Sequence, residues 1–427
     1  MSAKSETAPY RAAFDAAAPA TLLAPQRRDA LARFEALGFP SRRDEAWRFT
    51  DLRPLAAAAF PPAVKGPAGP ADIARYFFAG ETHRLVFVNG RFAPALSKIG
   101  TLPKGATLAG TADIAGKPAL AQRLLDQTDL AGGQAFASLN AALFADGFVL
   151  ALDPGVSLDR PVEIIHWGEA PERSFHLRNL IILGERSRAT VIESFAGKGH
   201  SWTNAVALVV LGAGAALRHA KLQDEAPEAI HFGQVRTDLA RDARYESFVL
   251  TLGGRLSRHD SFVNFAEEGA ACGLFGAYLL RGEQEATNAT FVDHAAPRCT
   301  TSEVFKGVVD ERAHGVFLGK IAVRPQAQKT NAHQLNKNLL LSPRANVDTK
   351  PELEILADDV KCSHGATVGD LDEEALFYLE ARGIPASEAR LMLIEAFAAD
   401  AIDRIEDDLA LRAHLLGHVQ RRLGRKD

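Results

Sequence analysis

The chain has 427 residues, of which 47% are hydrophobic and 24% are charged, a globular composition that can bury a large core. Its formal net charge of −4 gives no overall attraction for nucleic acid or anionic lipid, because such binding needs clustered lysine and arginine. The three cysteines, Cys272, Cys299 and Cys362, are odd in number and far apart, so no disulfide framework is expected.

Residues 1–83 are predicted to form an N-terminal helical region. Residues 8–60 are rich in alanine and carry apolar residues at helical spacing, and a linker rich in proline and glycine follows at residues 61–70. The chain begins without the apolar core of a signal peptide, and its longest nearly apolar run, residues 205–217, is too short to span a bilayer. We therefore expect a cytoplasmic protein with reduced thiols and no membrane contact.

Residues 84–368 are predicted to form a β-rich core with a helical insertion near residues 118–145. Short β-rich runs recur between turn residues whose spacings cluster at about 13–17 or about 27–30 residues. The second spacing is roughly twice the first, as the coils of a β-solenoid would produce, although a β-sandwich also alternates strands with turns. The pattern favours the solenoid. The turn residues are Gly184, Gly212, Arg241, Gly269, Gly282, Asp310, Pro325, Pro343 and Asp358.

Residues 369–427 are predicted to form a C-terminal helical region. Asp372 can cap a first helix that ends before Gly383. A second helix begins near Ser387 and carries a wide apolar stripe, which either packs on neighbouring structure or docks a partner; the sequence leaves both open. The stripe residues considered for docking are Ile394, Phe397, Ile402 and Ile405.

Two further stretches suggest no chemistry of their own. The basic residues Arg421, Arg422, Arg425 and Lys426 are typical of a solvated helix end. Residues 315–321 have one residue too few between their glycines for a P-loop and lack Ser or Thr after Lys320. We therefore expect neither nucleic-acid binding nor ATP hydrolysis by this chain.

Several stretches resemble the SufB/SufD family of the SUF iron–sulfur cluster assembly system. Those that resemble the shared core of the family are residues 329–342, 351–355, 360–369, 377–379 and 382–384. A second motif resembles the one that SufD members carry ahead of their β-helix, and it consists of Pro40, Arg42, Glu45, Ala46, Trp47, Arg48, Phe49 and Thr50.

Two departures separate the chain from the SufB branch of this family. Asn338-Leu339-Leu340 stands where the SufB branch is expected to carry its sulfur-accepting cysteine. Residues 362–366, Cys-Ser-His-Gly-Ala, replace a Glu-His-Glu-Ala run. The resemblance is therefore to the SufD branch.

The resemblance implies a right-handed parallel β-helix (a β-solenoid) flanked by N- and C-terminal α-helical regions. It implies a non-catalytic scaffold subunit of a SufBCD complex, which pairs with a SufB-like subunit, docks a SufC-like ATPase and assists iron and sulfur delivery to a nascent cluster. No cofactor is expected on the chain alone. The resemblance leaves open an iron or iron–sulfur cluster shared with a partner, a reduced flavin in the complex, and the stoichiometry.

Cys362 and His364 are the candidate metal ligands. They lie two residues apart, so on a strand their side chains point to the same face, and a thiolate with an imidazole is a reasonable pair of iron or cluster ligands. Two ligands do not complete a site, so a partner would supply the others, and under the resemblance this neighbourhood lies at the SufB interface. The alternative is that Cys362 is a small buried side chain and His364 a hydrogen-bonded structural residue.

Two other functions fit parts of the sequence. A β-helix polysaccharide lyase or hydrolase would need clustered Asp, Lys or Arg along one groove, and such enzymes are typically secreted. A homodimer of the isolated chain is the other alternative, because an exposed β-helix edge can pair with a second copy as well as with a SufB-like subunit.

Overall fold

The computed structural model describes residues 3–17, 23–63, 71–114, 117–125 and 134–424. The predicted linker at residues 61–70 lies mostly outside these residues, as do Arg425, Lys426 and the middle of the predicted helical insertion. The described helices are α1 (Ala3–Ala17), α2 (Ala24–Leu37), α3 (Arg53–Ala58), α4 (Pro118–Arg123), α5 (Gln134–Leu143), α6 (Glu373–Glu380), α7 (Ala386–Ile402) and α8 (Leu409–Arg422). No helix among the described residues is long and apolar enough to cross a membrane.

Strands make up the middle of the chain. In chain order they are β1 (His83–Val88), β2 (Arg91–Phe92), β3 (Ala106–Gly110), β4 (Phe148–Leu152), β5 (Val162–Gly168), β6 (Ser174–Leu183), β7 (Arg188–Gly197), β8 (Trp202–Leu211), β9 (Ala216–Asp224), β10 (Ile230–Leu239), β11 (Arg244–Thr251), β12 (Leu256–Phe265), β13 (Ala271–Leu280), β14 (Glu285–His294), β15 (Thr300–Val309), β16 (His314–Val323), β17 (Asn331–Leu340), β18 (Asn346–Ile355) and β19 (Lys361–Gly369).

These strands form a parallel β-solenoid of about 8 turns. Each coil places one strand in each of two sheets, whose orders within the described residues are β19-β17-β15-β13-β11-β9-β7-β5-β1-β2 and β18-β16-β14-β12-β10-β8-β6-β4-β3. From β6 onward each strand is parallel to the equivalent strand of the next coil and in register with it. The predicted solenoid with helical ends is therefore confirmed, and the sandwich is excluded. All nine predicted turn residues lie in connections between strands.

The N-terminal helices cover the outer face of the sheet that contains β6 and β8. Helix α2 packs on α5, and α5 packs on β6 and β8. The interface is aromatic: Trp47 and Trp202 meet Phe136 edge to face, with ring centroids 5.2 and 5.7 Å apart. Arg27 donates to the carbonyl oxygens of Ala142 and Phe144 at 3.0 and 2.8 Å, so a buried guanidinium binds carbonyl groups at the C-terminal end of α5.

The interior of the solenoid contains ionisable side chains as well as apolar ones. Glu193 of β7 is buried, lying 2.7 Å from Nε2 of His219 and 3.4 Å from Nε2 of His166. Burial alone would raise the pKa of Glu193, but the hydrogen bonds from His166 and His219 outweigh it and hold this pKa below its ordinary value. A buried carboxylate therefore ties three successive coils together through side chains as well as through the backbone ladder.

Replacing Glu193 by alanine is expected to destabilise the middle coils by about 3–5 kcal/mol, because removing one partner of a buried pair leaves the other groups uncompensated. The measurement is the urea midpoint of unfolding of the full chain. The control is Glu185→Ala, which removes an exposed carboxylate paired with Arg186 and is expected to change stability by less than about 1 kcal/mol. Equal effects of the two substitutions would contradict a structural role for the interior carboxylate.

Candidate functional site

The solenoid ends in two long strands that each have one unpaired edge. In the described part of the chain β18 pairs with β16 and β19 pairs with β17, and neither has a neighbour on its other side. Their ten and nine residues are mostly half-buried or exposed. We call this surface, formed by β18 and β19, the open coil end. Its unpaired N–H and C=O groups can accept another strand.

Cys362 and His364 both lie on the interior-facing side of β19. In the register of β17 and β19, Cys362 is opposite Ala332 and His364 is opposite Gln334, and both partners on β17 are buried. No further coil of the described residues covers β19, and Cys362 is only half-buried while His364 is exposed. Both donors therefore point into the last coil and remain reachable from outside it.

The other two cysteines do not reach this pair. Cys272 is buried on the same interior column as Cys362, but Thr301 and Ala332 lie between them in the register, which puts them roughly 14 Å apart at normal strand spacing. Cys299 is buried in a connection and contacts the carbonyl oxygens of Glu267 and Pro297.

The described residues contain no group of three or more His, Cys, Asp or Glu side chains that could hold a metal ion. The sulfur and nitrogen donors of Cys362 and His364 suit iron, but they fill at most part of its coordination sphere. Burial raises the pKa of the Cys362 thiol, so this thiol can bind a metal only after it has released its proton to solvent or to a base on a partner.

A buried polar column leads inward from His364. Gln334 is buried and donates through Nε2 to the Glu303 carboxylate at 2.9 Å, and Thr290 donates to the same oxygen of Glu303 at 2.8 Å. Gly319, on the opposite sheet, leaves the space for this amide, because a Cβ there would lie 2.2 Å from Nε2 of Gln334. The Oε1 atom of Gln334 has no hydrogen-bond partner among the described residues. It therefore offers an acceptor one strand away from His364.

The apolar stripe on the second C-terminal helix packs against the solenoid. Helix α7 contacts β13 and β15, and Ile394, Ile402 and Ile405 are buried in that interface. Phe397 is half-buried, and Nζ of Lys306 lies 4.4 Å from the centre of its ring. These side chains therefore pack within the chain, and their role in docking a partner stays a prediction.

Helix α6 presents the aromatic residues that the sequence reasoning did not select. Asp372 caps this helix by accepting from the backbone N–H groups of Glu374 and Ala375. Phe377 and Tyr378 are 71% and 56% exposed. The sequence itself indicates that at least one of these two aromatic residues is exposed. Consecutive helical residues lie about 100° apart, and a short surface helix cannot easily bury both.

Family models match the chain along most of its length. The model described as the SufBD core domain of SUF system FeS cluster assembly matches residues 166–397, and that of the SufBD protein N-terminal region matches residues 11–164. The chain belongs to the SufB/SufD family. The core match takes in the open coil end, α6 and most of α7.

Similar proteins occur in bacteria and in a plant. The Escherichia coli iron–sulfur cluster assembly protein SufD is 33% identical over 412 residues, which cover 95% of this chain and 94% of that protein. A SufBD family iron–sulfur cluster assembly protein of Synechocystis is 33% identical over 90% of this chain and 88% of its own length. The chloroplastic protein ABCI7 of Arabidopsis thaliana is 30% identical over 90% of this chain and 82% of its own length.

These matches confirm the resemblance seen in the sequence. The chain is a SufD homologue and an iron–sulfur cluster assembly protein of the SufB/SufD family, and the matched descriptions name no catalytic activity. They give no support to a polysaccharide lyase or hydrolase.

Replacing Glu303 by glutamine is expected to stabilise the protein at pH 8 and to have little effect at pH 4. Burial raises the pKa of Glu303 from 4.5 to about 7. Ionising it in the folded state therefore costs free energy that grows as the pH rises from 4.5 to about 7 and then stays constant, about 3 kcal/mol in all. The measurement is the urea midpoint of unfolding of both proteins between pH 4 and pH 8.

The matched control for this pH dependence is Glu311→Gln, at an exposed coil corner. It is expected to leave the difference from the wild type unchanged over the same pH range. A constant difference for Glu303→Gln as well would show that this carboxyl group ionises normally in the fold.

Proposed function

We propose that the chain is a scaffold subunit that pairs with a SufB-like subunit through the open coil end and docks a SufC-like ATPase on its C-terminal helices. The observation that carries the proposal is a family member whose solenoid stops at two long unpaired strand edges, with Cys362 and His364 beside them. The cytoplasmic location expected from the sequence belongs to the same proposal.

A second chain that adds strands to β18 and β19 would satisfy their backbone groups and cover the last coil. It would also bring its own side chains to Cys362 and His364. Iron and sulfide are then the cargo of the complex, held between subunits, and neither subunit alone has a complete ligand set. The proposal assigns no cofactor to the isolated chain, and a reduced flavin, if it acts, belongs to the complex.

Under this proposal the second ring nitrogen of His364 also has a hydrogen-bond partner available. A histidine that binds a metal through one ring nitrogen usually donates its other N–H to a carbonyl or carboxylate. The unpartnered Oε1 of Gln334, fixed from behind by Glu303, is the acceptor that the fold provides for that bond. This supports His364 more strongly than Cys362 as the ligand from this subunit.

Substituting His364 by alanine is expected to lower the iron and acid-labile sulfide content of the co-expressed complex strongly, by about tenfold. Cys362→Ala is expected to lower both to a smaller extent, because its thiol has a raised pKa. The control is His333→Ala, on the neighbouring strand β17, whose ring hydrogen-bonds Ser363 at 2.7 Å on the outer face. Unchanged iron in the His364 and Cys362 variants, or an equal loss in the control, would reject the assignment.

Pairing of the open coil end with a second copy is the alternative that the same edge allows. Light scattering of the isolated chain and of the chain mixed with a SufB-like subunit separates the two cases. A dimer that dissociates when the SufB-like subunit is added supports one shared surface. A dimer that persists in the mixed complex would show that the two partners use different surfaces.

Docking of the SufC-like ATPase is assigned to α6 because α7 is covered by the sheet. The double substitution of Phe377 and Tyr378 by alanine is expected to weaken binding by about 2 kcal/mol or more, since exposed aromatic residues are typical interface hot spots. The measurement is the dissociation constant for the purified ATPase. The melting temperature should change little, because both side chains are exposed.

Leu409→Ala is the matched control for docking. Leu409 is 76% exposed at the start of α8 and lies outside α6. It is expected to leave binding unchanged, and normal binding by the double variant of α6 would move the docking surface elsewhere.

A further inference from the structure

Four arginines from three separate parts of the chain line one cavity of about 470 Å³. Arg75 comes from the short helical turn Ala71–Tyr76, Arg281 from the connection between β13 and β14, and Arg421 and Arg422 from the end of α8. We call this cavity the arginine pocket. Its remaining lining residues are Asp224, Leu252, His418, Leu423 and Gly424.

The arginine pocket carries an excess of positive charge. Asp224 is the one carboxylate among its lining residues. The hydroxyl of Tyr76 donates to this carboxylate at 2.9 Å. Burial raises the pKa of Asp224. Glu283, in the adjoining turn, forms ion pairs with Arg255 and Arg312 instead. Four arginines and one aspartate therefore line this cavity.

Within the described residues, the half-buried Arg422 and the exposed Arg281 make no ion pair. Arg422 donates to Oε1 of Gln284, a neutral group whose own amide is held by the carbonyl oxygens of Leu252 and Gly254. The side chain of Arg281 makes no hydrogen bond or ion pair within the described part of the chain. Burial, and then the charge of Arg281, lower the pKa of Arg422 to about 10. The charges of Arg281 and Arg422 repel each other, and an anion bound between them would remove this repulsion.

The dipole of α8 explains only part of this cluster. Basic residues in the last turn of a helix are favourable, which accounts for Arg421 and Arg422. Arg75 and Arg281 belong to other elements, and nothing in that explanation brings them to the same cavity. Guanidinium groups bind phosphate through paired N–H donors, and the volume lies in the range of small-molecule sites.

We propose that the arginine pocket binds a small phosphate-bearing anion between α8, the Ala71–Tyr76 turn and the solenoid. The half-buried Arg422 and the exposed Arg281 are its principal ligands, and the exposed Arg75 and Arg421 complete the rim. Occupation would join the C-terminal helix to both the N-terminal region and the coil turns. This site is separate from the open coil end and does not depend on the docking of partners.

The test is calorimetric titration of the full chain at low ionic strength with inorganic pyrophosphate and, separately, with ADP. Saturable binding of one anion per chain, with a rise in melting temperature, is expected. Similar affinities would show that the phosphates alone are recognised, and tighter binding of ADP would identify a nucleotide; both results support the site. Binding of neither probe would overturn it.

Three variants locate the binding. Arg281→Gln and Arg422→Gln are each expected to weaken it at least about tenfold. Arg281→Gln is also expected to melt no lower than the wild type without anion, because it removes a repulsive charge. The control is Arg312→Gln, which removes an equal charge that is paired with Glu283 on the nearby exposed turn. A loss of affinity in this control as large as that in Arg281→Gln would show nonspecific attraction and reject the pocket.

Discussion

The backbone ladder between successive coils is the constraint on which the rest of this structure depends. Each strand of the solenoid satisfies its N–H and C=O groups only through the equivalent strands of the coils before and after it. A stack of this kind has two ends, and the backbone groups at each end lack a neighbouring coil to pair with. At the N-terminal end the outermost strands, β2 and β3, are antiparallel and only two and five residues long. At the other end β18 and β19 are long and uncapped, so the molecule is built asymmetrically, with one blunted end and one that can be extended.

The same stacking determines what the interior contains. A column of side chains passes through all coils, and each member is sealed from water by its neighbours above and below. Glu193 remains charged inside because His166 and His219 face it from adjacent coils. Glu303, which has two neutral donors and no cation beside it, instead has a raised pKa. His364 follows Glu303 and Gln334 in this column and lies on β19, at the end of the stack, where the column is open to water. A position that would be core in any earlier coil thereby becomes a surface position with an ordered polar column behind it.

The C-terminal helices differ in how much of their surface is buried against the rest of the chain. Helix α7 uses its isoleucines to cover the outer face of β13 and β15. Helix α6 contacts α7 but has no fully buried residue, and Phe377 and Tyr378 are exposed. Helix α8 returns to the N-terminal region, where His418 stacks on Tyr76 with ring centroids 5.6 Å apart. Movement of a partner on α6 would therefore act on a tail that is attached to the solenoid at α7 and α8.

The sequence by itself determined the solenoid, its helical ends and the family. The turn residues recur because every coil must turn at an equivalent place, and the cap at Asp372 is a local signal that needs no tertiary context. Only the tertiary structure decided which apolar and charged residues are exposed. Ile394 and Ile402 are indistinguishable from docking residues in a helical pattern, and their burial depends on strands β13 and β15, which lie far earlier in the chain. The convergence of Gln334 on Glu303, and of Arg75 and Arg281 on Arg422, likewise joins residues that local periodicity cannot relate, because stacking and helix packing set their neighbours.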